Sequence, residues 1–273
     1  MNVMTSRERV MTALRNAEPD RVPFLDPVID EAVALPLLGK AIPPDLIGGE
    51  LGTGDEPVFR GMLMGTDNYD AMELVDVLGL DGFGMYLFLR HEGIQEETNG
   101  HFMVHGGRIK NREDFRRIEL PDPDDPALYE PYRQFIEQYR DSDRALFCFL
   151  NLGSDPVILG MGFETFSYAL YDDHSLVEDL FALYTGWYAR AVKHLCELDF
   201  DFLWFGDDIA FKTGPYVSPK VFKELFVPHY RRVVDHISKP WIYHSDGNLL
   251  PVMDDLLDLG MAGLHPIEPE AMD

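Results

Sequence analysis

Short apolar runs that stop abruptly at polar clusters recur along the chain, most clearly in its second half. Leu203-Trp204-Phe205 ends in Gly206-Asp207-Asp208, Trp241-Ile242-Tyr243 ends in His244-Ser245-Asp246-Gly247-Asn248, and Gly263-Leu264 ends in His265-Pro266-Ile267-Glu268. An apolar run without polar alternation fits a strand buried on both faces of a parallel sheet. Further strands are predicted from Val22 to Asp26, over Asp81 to Leu89 and over Ala145 to Leu150. Helical spacing of apolar residues predicts helices over Ser6 to Leu14 (capped by Thr5 or Ser6), Tyr69 to Leu78, Tyr129 to Tyr139, Phe163 to Tyr171, Ser175 to Leu198, Ser218 to Ile237 and Leu249 to Leu257. His101 to Lys110 reads as a hairpin, and the Gly- and Pro-rich stretch from Gly39 to Gly65 as a long loop. Strands near Val22, Phe83, Ala145, Phe202, Trp241 and Leu264 alternate with helices, so a single α/β domain over residues 1–273 is expected, built on a parallel sheet.

In such a sheet the last polar residues of successive strands share one edge, where α/β proteins carry their chemistry. His244 can serve there as a metal ligand, as a general acid or base, or be satisfied by loop hydrogen bonds. Asp207 and Asp208 are candidate catalytic carboxylates, and adjacent residues point in different directions, so at most one should face a pocket. Asp246 and Glu268 would complete an oxygen-nitrogen site with His244 for a divalent ion such as zinc. Asp246 could instead cap the helix that follows, and Glu268 could be a solvated loop carboxylate. Asp26, Tyr86 and Asn151 are candidate substrate contacts.

Charge narrows the partners. With 48 acidic against 23 basic residues and a formal net charge of −25, the chain would be repelled by nucleic acids and by anionic membranes. Cys148 and Cys196 lie in apolar contexts without paired-thiol spacing and read as core residues, which suits a reducing cytoplasm. The first fifteen residues carry several charges and no continuous apolar core, unlike a signal peptide.

Several segments resemble one family. Ser6-Arg7-Glu8-Arg9-Val10 through Pro19-Asp20-Arg21-Val22-Pro23, Gly206-Asp207-Asp208 with Gly214-Pro215 and Ser218-Pro219, and His244-Ser245-Asp246-Gly247-Asn248 resemble the uroporphyrinogen decarboxylase superfamily. The resemblance implies a TIM (β/α)8-type barrel and either of two activities, porphyrinogen decarboxylation or methyl transfer involving a corrinoid protein. Against decarboxylation, the stretch where family decarboxylases hold an arginine-rich loop reads Asp26-Pro27-Val28-Ile29-Asp30-Glu31 here. Against a thiolate zinc site, the His-x-Cys of family methyltransferases is His244-Ser245-Asp246, with no cysteine downstream. The expected function is therefore methyl transfer from a small methylated substrate to a corrinoid carried by a partner protein, with decarboxylation of a carboxylated substrate as the alternative. A homodimer is a further option.

Six strands do not close an eight-stranded barrel, so the chain is also expected to lack the last two βα units. The inward residues would then face water unless a partner covered them, leaving an impaired fragment or binding module as a third reading. At about 25 cal/mol per Å², exposing several hundred Å² of apolar surface would cost on the order of ten kcal/mol.

Overall fold

The computed structural model describes residues 3–43, 48–49, 58–62, 69–98 and 101–272. Its centre is a six-stranded sheet of β1 (Val58–Met62), β2 (Gly82–Leu89), β5 (Ala145–Leu150), β6 (Phe202–Gly206), β7 (Trp241–His244) and β8 (Gly263–His265), lying side by side in that order. The last five are parallel, and each neighbours the next in sequence, as in a TIM-type α/β barrel. Helices fill the connections: α2 (Ala71–Leu78) before β2, α3 (Glu130–Tyr139) before β5, then α4 (Asp155–Met161), α5 (Phe163–Asp172) and α6 (His174–Glu197) before β6, α7 (Val227–Val234) before β7 and α8 (Met253–Leu257) before β8. The hairpin β3 (Gly93–Thr98) and β4 (His101–Gly107) leaves the C-terminal end of β2 and packs on α4. A side chain at Gly107 would collide with the Gly160 carbonyl, so glycine permits the contact that seats the hairpin.

The period-two alternation of the strands sorts residues onto two faces. Leu146, Cys148, Leu150, Leu203, Phe205 and Tyr243 join the large core beneath the helices. Ala145, Phe147, Phe149, Phe202, Trp204 and Ile242 form a second cluster on the other, inner face with Val10 of α1 (Ser6–Leu14). These inner residues are only 0–7% exposed, which corrects the expectation that they would face water. Helix α1 lies across the N-terminal ends of β2 and β5, and Leu14 and Leu25 pack against the same cluster.

Two strand expectations also need correction. Val22 to Asp26 takes no regular structure and joins no strand, although the Asp81 N–H donates to the Phe24 carbonyl at 2.8 Å. The edge of β2 beyond it is taken by β1, which runs antiparallel inside the stretch expected to be loop. Five residues interrupted by an arginine and a glycine carry too little pattern to announce a strand. The predicted Ser218 helix does begin at a Ser218 cap, and its Pro219–Val221 turn passes through a π-helical turn at Phe222–Phe226 into α7. Pro228 has no N–H for the Glu224 carbonyl, and the chain widens just before it. Among the described residues no helix is long and apolar enough to cross a membrane.

Candidate functional site

The inward parity that buries Trp204 and Ile242 carries on past the strand ends to Asp208 and His244. Both line a cavity of about 720 Å³ at the C-terminal edge of the sheet, with Phe88, Phe149 and Asn151. Gly206 stands level with His244 in the register, and a side chain there would strike the Phe149 ring, so the glycine makes room for both aromatic rings.

Asp207 has the opposite parity. Its side chain is fully buried behind the cavity wall and accepts the backbone N–H groups of Leu152, Gly153 and Asp155. Burial pushes its pKa up to about 7, against the pull of those amides. Asp207 thus braces the loop after β5 and does not reach the substrate space, whereas Asp208 does.

His244 sits between two partners. Its Nδ1 is 2.8 Å from Nδ1 of His265, and its Nε2 is 3.7 Å from Asp208 Oδ1. Burial, with His244 alongside, pushes His265 down to about 4, so His265 is neutral near pH 7 and can accept the Nδ1 hydrogen of His244. His244 then turns Nε2 toward Asp208 and the cavity, and that nitrogen carries a hydrogen as well only when the ring is the imidazolium. The sequence pattern missed His265 as a partner, although its register opposite His244 on the next strand is the signal that pairs them.

The carboxylates of the rim hold their neighbours' loops. Asp155 Oδ1 accepts the Asp208 N–H at 2.9 Å, Asp208 Oδ1 accepts the Asp246 N–H at 2.9 Å, and Glu268 Oε2 accepts the Gly247 N–H at 2.5 Å. Asp155 was invisible in the sequence because it lies at a helix start, not at a strand end. The Asp246 side chain is exposed, and its carboxyl is raised by partial burial and by Asp208 and Glu268 nearby.

The expected metal set does not assemble. Glu268 is spent on an amide, Nδ1 of His244 faces His265, and among the described residues no three His, Cys, Asp or Glu side chains are placed to hold an ion. These donors do not fit zinc.

Of the three substrate candidates, only Asn151 reaches the cavity, and its amide is already engaged by the Gly206 carbonyl and the Tyr188 hydroxyl. Tyr86 stacks on Phe88 within the inner cluster, and burial raises its pKa. Asp26 caps its own loop at Val28 N–H and lies outside the cavity wall, with burial raising its carboxyl. Wall residues that the sequence pattern did not single out are His91, His105, Lys110, Phe211 and Tyr216. They come from the hairpin and from loops, where no periodicity marks them.

No curated protein matches the sequence. In fold, the chain is similar to a methyltransferase from Methanosarcina mazei, with a TM-score of 0.65 at 15% identity over 96% of this chain and 75% of that one. Residues 106–268, more than half of the chain and including β5 to β8 with their polar ends, match uroporphyrinogen decarboxylase (URO-D), and the chain belongs to that family.

Proposed function

We propose that the protein is a methyltransferase that demethylates a small substrate, the methyl group passing to a corrinoid carried by a partner protein. The observation that carries this reading is a cleft in which His244 stands beside Asp208 and which no arginine lines among the described residues. A porphyrinogen bearing several carboxylates would need guanidinium partners, and the acidic wall residues Asp155, Glu164 and Asp208 outnumber the one lysine, Lys110. A methylated ether or amine has the opposite need. When its methyl group leaves, the departing oxygen or nitrogen takes the bonding electron pair; an ether oxygen then needs a proton from a donor, whereas a methylammonium nitrogen leaves as the neutral amine and needs only a carboxylate such as Asp208 to seat its charge beforehand. His244 can supply this proton through Nε2, with Asp208 steadying the imidazolium and His265 fixing the ring through Nδ1. The corrinoid contributes the methyl acceptor.

The test is demethylation of methylated phenols and amines in the presence of a reduced corrinoid protein, with product followed by mass spectrometry. His244→Ala should lower the rate by about 10²-fold or more at an unchanged melting temperature, the usual range for losing a general acid. Release of carbon dioxide from uroporphyrinogen at an ordinary enzyme rate would replace this reading with the decarboxylase one.

A further inference from the structure

The cavity has two chemically different walls. One, from the ends of β6 and β7, presents Asp208 and His244, with Asp155 at the head of α4 beside them. The other, from the end of β2 and the hairpin, presents His91, His105 and Lys110.

His91 is a fixed donor. Its Nδ1 accepts the Gly93 N–H at 3.0 Å, and burial, with the charges of Arg108 and Arg90, pushes its pKa down to about 4. A neutral imidazole whose Nδ1 is an acceptor carries its hydrogen on Nε2. Lys110 gives two N–H groups to the Met161 carbonyl at 3.1 Å and the Thr165 hydroxyl at 2.8 Å, which leaves the third of its three donors for a ligand. This wall therefore offers hydrogen to oxygen. Also lining the cavity, and on the side of Asp208 and Asp155 at Tyr216, Phe163, Phe211 and Tyr216 form an aromatic triangle with centroids 4.5 to 5.2 Å apart, a surface that favours cations over anions.

We propose that the cleft takes a zwitterion, an N-methylated amino acid whose ammonium group lies at Asp208 and the aromatic triangle and whose carboxylate is received by His91 and Lys110. The proposal rests on the methyl-transfer reading only for which end of the ligand reacts. Binding alone decides it.

Calorimetric titration with three matched probes separates the walls: N,N-dimethylphenylalanine carries both charges, N,N-dimethylphenethylamine only the cation, and 3-phenylpropanoate only the anion. The zwitterion should bind at least about tenfold more tightly than either, since each wall adds a charge-assisted contact. His91→Ala should lower zwitterion affinity toward that of the amine, the Lys110 contact remaining, while leaving amine affinity within about twofold, and Asp208→Asn should weaken both. Failure of the zwitterion to bind overturns the proposal. So does equal or tighter binding of 3-phenylpropanoate or of 4-methoxybenzoate. If His91→Ala does not fold, as judged by near-ultraviolet circular dichroism, the three-probe series on the unaltered protein decides. A zwitterion that binds without demethylation would sink the reaction and spare this inference, whereas demethylation of methoxybenzoate alone would do the reverse.

Discussion

The two ends of the parallel sheet bury carboxylates in opposite ways. At the N-terminal end Asp81, fully buried, accepts Ser6 Oγ at 2.8 Å, Arg9 Nη1 at 2.6 Å, Arg21 Nη2 at 2.8 Å and the Phe24 N–H at 2.8 Å. Asp20 closes the network with Arg9 Nε at 2.6 Å. Burial pushes Asp81 up, but the Phe24 amide, Ser6 and the two guanidinium groups outweigh it, and its carboxyl lies below the ordinary value. At the C-terminal end Asp207 meets only amides and a hydroxyl, and its carboxyl lies above the ordinary value. Full ionic compensation serves to lock α1 under the sheet. Partial compensation, by dipoles alone, braces the loop after β5 and leaves the Asp207 carboxyl raised.

The strongest way to break this comparison is at Asp81. Asp81→Asn should destabilise the fold by about 3–5 kcal/mol, because it breaks the buried pair with Arg9 and leaves that guanidinium only Asp20 as a carboxylate partner. A loss below about 1 kcal/mol in denaturant unfolding would show that the network is not a lock. Asp207→Asn should cost less, about 1–3 kcal/mol, since it removes hydrogen-bond acceptors but strands no opposite charge. A larger loss at Asp207 than at Asp81 would invert the contrast.

The pH dependence sharpens it further. Asp81 and Asp20 are depressed, so their contribution is present above the unfolded value near 3.8 and is lost as the pH falls below it through their folded values. Asp207 is raised to about 7 from 3.8, so its contribution is present below about 4 and declines as the pH rises from there through 7. Stability measured from pH 4 to 7 should therefore flatten in Asp207→Asn, and an unchanged slope would remove Asp207 from the account. The smallest effect is expected at Asp246, whose side chain is exposed: Asp246→Asn should shift stability by no more than about 0.5 kcal/mol.

The buried parallel strands were legible in the sequence because each is an unbroken apolar run; Ala145 to Leu150 coincides with β5, and the others agree to within a residue or two. So was the gathering of Asp208, His244, Asp246 and Glu268 at one edge. What each carboxylate does there was not legible. Asp207, Asp155 and Glu268 are committed by amides that come from other strands' loops, and a strand's own sequence does not record its neighbour's backbone. Likewise β1 and the unpaired Val22 segment depend on which chain reaches the edge of β2, a tertiary outcome with no local pattern.

The carboxylate-to-amide links across the rim also bear on redesign. Because Asp155 holds the loop after β6, Asp208 holds the loop after β7, and Glu268 reaches back to that same loop, these segments are not independent modules. A loop grafted from a relative would arrive with its own carboxylate but without the one that anchors it, so transplantation should succeed only when adjacent loops are exchanged together.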